Sequence, residues 1–180
     1  MISAVESFAR RCRRLAFIAA VLAAIYAVIT IGIWLVLPSV DAAIFHRIAG
    51  IPPGQPTPDL PRLLLGLSIA LLHAVPAVMF LLSLAGTLRA CADAPIFPPA
   101  APRGLRRMAW SAGLYAVGCV AGRALLAVWA TWTLPPGQRS LTVNIGSGDL
   151  TALFVASLVA LLASAFDAAA AIEAESRLTV

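Results

Sequence analysis

The sequence predicts an all-α polytopic membrane protein, a four-transmembrane-helix bundle with short outer loops and no separate soluble domain. Three observations carry that reading. Only 12% of the 180 residues are charged and 61% are hydrophobic, whereas a soluble domain usually carries about 25% charged residues to cover its surface. The mean hydropathy is +0.94. The apolar residues also fall into four runs, each long enough at about 1.5 Å per residue to cross a hydrocarbon core of about 30 Å.

The first run, "LAFIAAVLAAIYAVITIGIWLVL" over residues 15–37, has no charge. A secretory signal peptide competes for it, since "RRCRR" precedes it. The apolar part of a signal peptide is about 7–15 residues long and ends at a small-x-small cleavage site. This run is longer and ends in "WLVLPSVD", which predicts a retained helix. The second run, 62–88, contains His73 and Pro76; proline is tolerated in a span when neighbours satisfy the freed backbone group. The third, 108–134, carries one charge, Arg123, and the fourth, 150–172, contains Asp167 and continues as a polar helical tail.

A net charge of +5 and a pI of about 10.1 would suggest nucleic acid as partner in a soluble domain. Here every basic residue is Arg, and the arginines cluster at the ends of the apolar runs. That is a topology signal, and no direct nucleic-acid binding is expected. Arg10, Arg11, Arg13 and Arg14 precede the first run, and Arg89, Arg103, Arg106 and Arg107 lie in the second connection. The first connection has His46 and Arg47, with Arg62 at the helix edge, and the third has Arg139. Positive residues accumulate on the cytoplasmic side, so both termini and the middle loop are expected there. Trp34, Trp129 and Trp132 then fall at an outer aromatic belt and Trp110 at the inner one.

The outer segments, "PSVDAAIFHRIAGIPPGQPTPD" and "PPGQRSLTVNIGSG", are small caps, and alternation over residues 140–145 predicts an extended stretch. Cys12, Cys91 and Cys119 lie outside these segments, so they are expected to be reduced structural thiols without a disulfide framework. Small residues let membrane helices approach closely. Candidates are Ala19, Ala23 and Ala27; Gly66, Ala70 and Ala74; Gly118 and Gly122; and Ala152, Ala156, Ala160, Ser164 and Ala168, read as bundle packing with a homo-oligomer seam as a further use. "RRLAF" at 13–17 also echoes as "RRMAW" at 106–110, as a parallel repeat of two hairpins would give.

Ionisable groups inside a span are costly and point to function. Counted from the Arg-rich edge, Arg123 lies about 24 Å up its helix and Asp167 about 8 Å up its own. They are too far apart to pair, and Asp167 is expected to meet Arg89 or the basic middle loop. His73 lies about 22 Å up, near Arg123 and level with Thr30. Two arrangements are open: a polar pocket of His73, Arg123 and Thr30, or Arg123 extended to the outer headgroups beside Trp129 with His73 bonded to a backbone carbonyl. No HExxH, Cys/His zinc spacing, GxSxG, P-loop or dinucleotide fingerprint is present. No enzyme activity, metal or cofactor is expected.

The stretch "DAPIFPPAAPRGLRRMAW" resembles a turn and Phe97 leading to an "N-x-R-x-L-R-x-I-G" pattern, with Ala101 and Pro102 where the pattern has Asn. The closing "GDLTALFVASLVALLASAFDAAAAIEAESRLTV" is similar to a last span ending in "L-x-E-E-x-E-L-T-V". Both patterns belong to DUF2975, a family of small bacterial four-span membrane proteins of unknown function. The resemblance covers about residues 93–180 and implies the bacterial cytoplasmic (inner) membrane. Family members are often encoded beside a small helix-turn-helix regulator, which implies a regulatory pairing and supplies no catalytic residues.

In the tail, Glu173 and Arg177 are one helical turn apart and can pair. Leu178, Thr179 and Val180 form a β-favouring end that either adds to a partner's sheet edge or folds back on the bundle. The leading expectation is therefore a non-enzymatic regulatory or interaction protein in the lipid bilayer. It would present Arg103, Arg106, Arg107, Glu173, Glu175, Leu178, Thr179 and Val180 to a cytoplasmic partner. The alternative is a small transporter or channel subunit with a polar pathway near His73 and Arg123.

Overall fold

A computed structural model describes residues 2–178 apart from 53, 94–100, 136, 138, 140, 142 and 144. It describes side chains over the same set less 2–5, 101 and 169–178. The described residues form six helices: α1 (Ile2–Leu35), α2 (Leu37–Val40), α3 (Ala42–Ala49), α4 (Leu60–Asp93), α5 (Ala101–Thr131) and α6 (Ser147–Leu178). Four contain segments long and apolar enough to cross a membrane: Glu6–Leu35, Leu60–Asp93, Pro102–Thr131 and Ser147–Ala168. The chain is a multi-pass membrane protein. Its long helices outrun the apolar stretches because helix formers and arginines continue them past the apolar ends.

Each long helix packs chiefly on its neighbour in the chain, α1 on α4, α4 on α5 and α5 on α6. Between α4 and α5 the reason lies in three residues. Pro76 is inside α4 and has no N–H, so the carbonyl of Leu72, four residues earlier, loses its helical donor. Gly118 of α5 lies against that carbonyl: a Cβ there would overlap the Leu72 oxygen and come 3.2 Å from the His73 Cα. Gly122, one turn on, faces Ile69 O and the His73 ring. The two backbones touch because α5 has no side chain at the contact.

At the Trp-rich end the short helices fold back as a cap. Asp41 Oδ1 accepts from Ile44 N at 2.9 Å and caps α3; Gly50, at φ 70°, ends it in the left-handed region that glycine adopts freely. Phe45 is thereby fully buried with Ala49 and Ile51 against Trp34, Ala70 and Trp129. Trp34 lies edge-on to both Phe45 and Trp129, with ring centroids 5.6 and 5.2 Å apart. Gly66 makes room, since a Cβ there would overlap the Trp34 ring. Arg62 locks the corner. Its Nη2 donates to Trp129 O at 3.1 Å, its carbonyl accepts from Trp129 Nε1 at 2.9 Å, and its guanidinium stacks over the Trp129 ring. It thus satisfies a late carbonyl of α5 at the negative end of that helix.

Three expectations need correction here. Trp132 is exposed as an interfacial tryptophan should be, but Trp34 and Trp129 are buried because each finds ring and hydrogen-bond partners inside the cap. The stripe on α6 does not face inward as a whole. Ala160, Ser164 and Ala168 are exposed while Val159 and Ala163 are buried. Four-residue steps drift about 40° each on a 3.6-residue helix, so the four steps from Ala152 to Ala168 leave one face. Of the stretch 140–145 expected to be extended, residues 140, 142 and 144 lie outside the described residues. Leu178 is helical, so an extended tail can begin only at Thr179, and Thr179 and Val180 lie outside the described residues. The stripes Gly66, Ala70 and Ala74 and Ala19 and Ala23 are buried, and all three cysteines are free.

The echoed motifs occupy matching places. Arg13 bonds to Asp93 at 3.1 Å, at the far end of the next long helix, and Arg106 bonds to Asp167 at 2.7 Å on the long helix after its own. Ala19 and Ala23 are buried in the first unit, and Ala112 and Ala116, at the same offsets from the motif, in the second.

Gly118→Val is expected to lower stability by about 1–3 kcal/mol, the range for overpacking a close contact. Gly113→Ala, where the added carbon meets nothing within 4 Å, is expected to be neutral. Unfolding by titration with denaturing detergent measures both.

Candidate functional site

The polar groups inside the bundle gather in a layer toward the Trp-rich end. Asp149 sits in the first turn of α6 and is buried. Its Oδ2 accepts from Gly146 N at 2.7 Å, the reach-back of a third-position acid to the residue that starts the helix. The positive end of the α6 dipole also favours a carboxylate there. Arg123 of α5 hydrogen-bonds to the same oxygen, so the one buried carboxylate of the layer meets a guanidinium that is itself 45% exposed.

His73 of α4 is half-buried against the glycine face of α5, its Nδ1 3.6 Å from where a Gly122 Cβ would sit, within electrostatic reach of Arg123. The structure therefore brings His73 and Arg123 to one level, as their counted depths imply. Thr30 does not join them by a bond of its hydroxyl, which donates to Tyr26 O in its own helix at 2.9 Å. Nor does Arg123 extend to the headgroups beside Trp129; it turns to Asp149.

Asp149 is the member of this layer that sequence reasoning missed. A signal for it was present. Arg123 lies about 24 Å into a core of about 30 Å, so the residue at its level on the next helix must stand at the start of the fourth run. Asp149 is the acid there.

Below the layer is an apolar cavity of about 320 Å³ to which all four long helices contribute: Tyr26 of α1, Phe80 and Leu81 of α4, Ala112 and Tyr115 of α5, and Val155 of α6. Its size is at the lower end for small-molecule sites, and its polar handles are the phenols of Tyr26 and Tyr115. Among the described residues no group of three His, Cys, Asp or Glu side chains converges as metal ligands would.

At the Arg-rich end, Arg106 holds Asp167, which meets the basic start of α5 as its depth requires. Arg103 and Arg107 flank it as exposed side chains on the first turns of α5. Glu173, Glu175 and Leu178 lie on the last turns of α6, with side chains outside the described set. Arg106 and Arg123 are separated by about 26 Å of helical rise on α5, and Asp167 and Asp149 by about 27 Å on α6. The two ion pairs thus clasp an antiparallel helix pair at both ends and fix its register.

Arg123→Leu strips a buried carboxylate of its counter-charge. It is expected to lower stability, by less than breaking a fully buried pair because Arg123 is half exposed. Adding Asp149→Leu is expected to recover part of that loss in a double-mutant cycle of unfolding free energies. A double variant as unstable as the sum of the two singles would mean that the pair is uncoupled.

Neither a curated protein nor a solved structure matches the chain. Residues 43–180 match the family described as "Protein of unknown function (DUF2975)". The match takes in the cap helix α3 and the second span as well as the loop and tail motifs. The four-span helical protein described here belongs to the DUF2975 family.

Proposed function

We infer that this protein is a non-enzymatic regulator of the bacterial cytoplasmic membrane. Its termini and middle loop face the cytoplasm, where it holds a soluble partner through the basic start of α5 and the end of α6. The construction of α6 carries this reading. The helix is clasped to α5 at both ends, by Asp149 on Arg123 and Asp167 on Arg106, and packs chiefly on α5. Beyond Asp167 it continues as helix to Leu178, about 16 Å further. A rod held by two breakable ion pairs can link the polar layer to a tail outside the membrane.

The distribution of arginines supports the orientation. The tail carries Glu173, Glu175, Leu178, Thr179 and Val180, so its sequence offers a partner acidic and apolar groups, and the start of α5 offers Arg103, Arg106 and Arg107. The family's association with small helix-turn-helix regulators names the partner class. The ionisable groups of the interior support a non-catalytic role, since Arg123 and Asp149 are engaged with each other.

The test is recovery of the N-terminally tagged protein from its own membranes in mild detergent. The full chain is expected to bring down a small helix-turn-helix protein. Deleting residues 173–180 is expected to abolish that capture while membrane levels hold. Undiminished capture by the truncated protein would sink the proposal.

A further inference from the structure

At the Arg-rich end a second surface separates from the α5–α6 clasp. A cleft of about 380 Å³ runs between α4 and α5, with Ser83, Gly86 and Thr87 on one wall and Arg103, Gly104 and Arg107 on the other. Arg103 and Arg107 are one helical turn apart, so their guanidinium groups rise on the same side of α5. Both are exposed. Neither forms an ion pair among the described residues, where Asp93 and Asp167 are held by Arg13 and Arg106. The floor is kept low by small residues: a Cβ on Gly104 would overlap Thr87 Oγ1, and a Cβ on Gly86 meets nothing within 4 Å. The Thr87 hydroxyl donates to Ser83 O at 2.8 Å, which leaves its oxygen lone pairs as acceptors.

We propose that this cleft binds the headgroup of an anionic phospholipid, with the phosphodiester on Arg103 and Arg107 and an acyl chain running over Leu82. Guanidinium groups recognise phosphate oxygens bidentately. The hydroxyls of a glycerol headgroup match the acceptor on Thr87 and the Ser83 hydroxyl. A lipid is the occupant because the cleft joins two environments. Its arginines stand on the first turns of α5, just before the exposed Trp110, where headgroups lie. Its inner wall is the exposed apolar Leu82, toward the middle of the span. Basic clefts between spans at an anionic leaflet are suited to such headgroups.

The lipid site does not require a soluble partner, but it removes two of the arginines offered to one. A lipid on Arg103 and Arg107 anchors the start of α5 and leaves the soluble partner to Arg106 and the α6 tail.

The experiment uses the full chain in nanodiscs of equimolar phosphatidylglycerol and phosphatidylcholine, with retained lipids counted by native mass spectrometry. Phosphatidylglycerol is expected to be retained about ten-fold over phosphatidylcholine, as two interfacial arginines allow. R103Q/R107Q is expected to bring the ratio near one and R106Q to leave it unchanged. Gly86→Leu fills the cleft without touching a charge and is expected to lower retention too, which keeps the test valid if the double variant folds poorly. Millimolar inorganic phosphate is expected not to displace the lipid. A wild-type ratio near one, a ratio unmoved by R103Q/R107Q, or displacement by free phosphate would each overturn the assignment.

Discussion

The contact between Gly118 and the Leu72 carbonyl organises the rest of the molecule. In lipid there is no hydrophobic drive to push helices together, so packing and satisfied backbone groups must do it. Pro76 supplies an unsatisfied carbonyl in the middle of α4, and Gly118 supplies a position on α5 where another backbone can reach it. A Cα–H contact to a freed carbonyl is worth little alone. Its effect is geometric: it sets the closest approach of α4 and α5, and with it where His73, Gly122 and Arg123 stand relative to one another.

Charge then fixes what packing leaves free. Apolar helices in lipid can slide along one another at little cost, whereas an ion pair at each end of an antiparallel pair selects one register. Arg123 with Asp149 and Arg106 with Asp167 do this for α5 and α6, and Arg13 with Asp93 does it once for α1 and α4. The pairs differ in weight. Those at the Arg-rich end are exposed and worth at most about 1 kcal/mol. The buried Asp149 carboxylate is different, since losing its partner leaves a charge with little water to solvate it. Among the described residues the same economy of charge leaves Arg103 and Arg107 without an ion-pair partner.

Much of this was legible in the residues. The four spans follow from the length of the apolar runs, and the glycine pair at 118 and 122 marked the close face of α5. Depth counting separated Arg123 from Asp167 and sent the latter to the basic loop. Other features were not legible. Trp34 and Trp129 carry the signature of an interfacial belt, and their burial depends on Phe45 arriving from a cap helix more than ten residues beyond Trp34 in the chain. The α6 stripe looked continuous in sequence because spacing by four ignores the angular drift of a 3.6-residue helix.

The sequence by itself determined the solvent, the number of crossings and the side on which arginine accumulates, because each depends on local composition over about twenty residues. Only the tertiary structure decided which charge meets which. It chose Asp149 over the headgroups for Arg123, Arg106 over Arg89 for Asp167, and the Thr30 hydroxyl for its own helix. Pairing depends on the rotation and register of helices far apart in the chain, and one residue's rise or a fraction of a turn changes the partner. No local pattern carries that information.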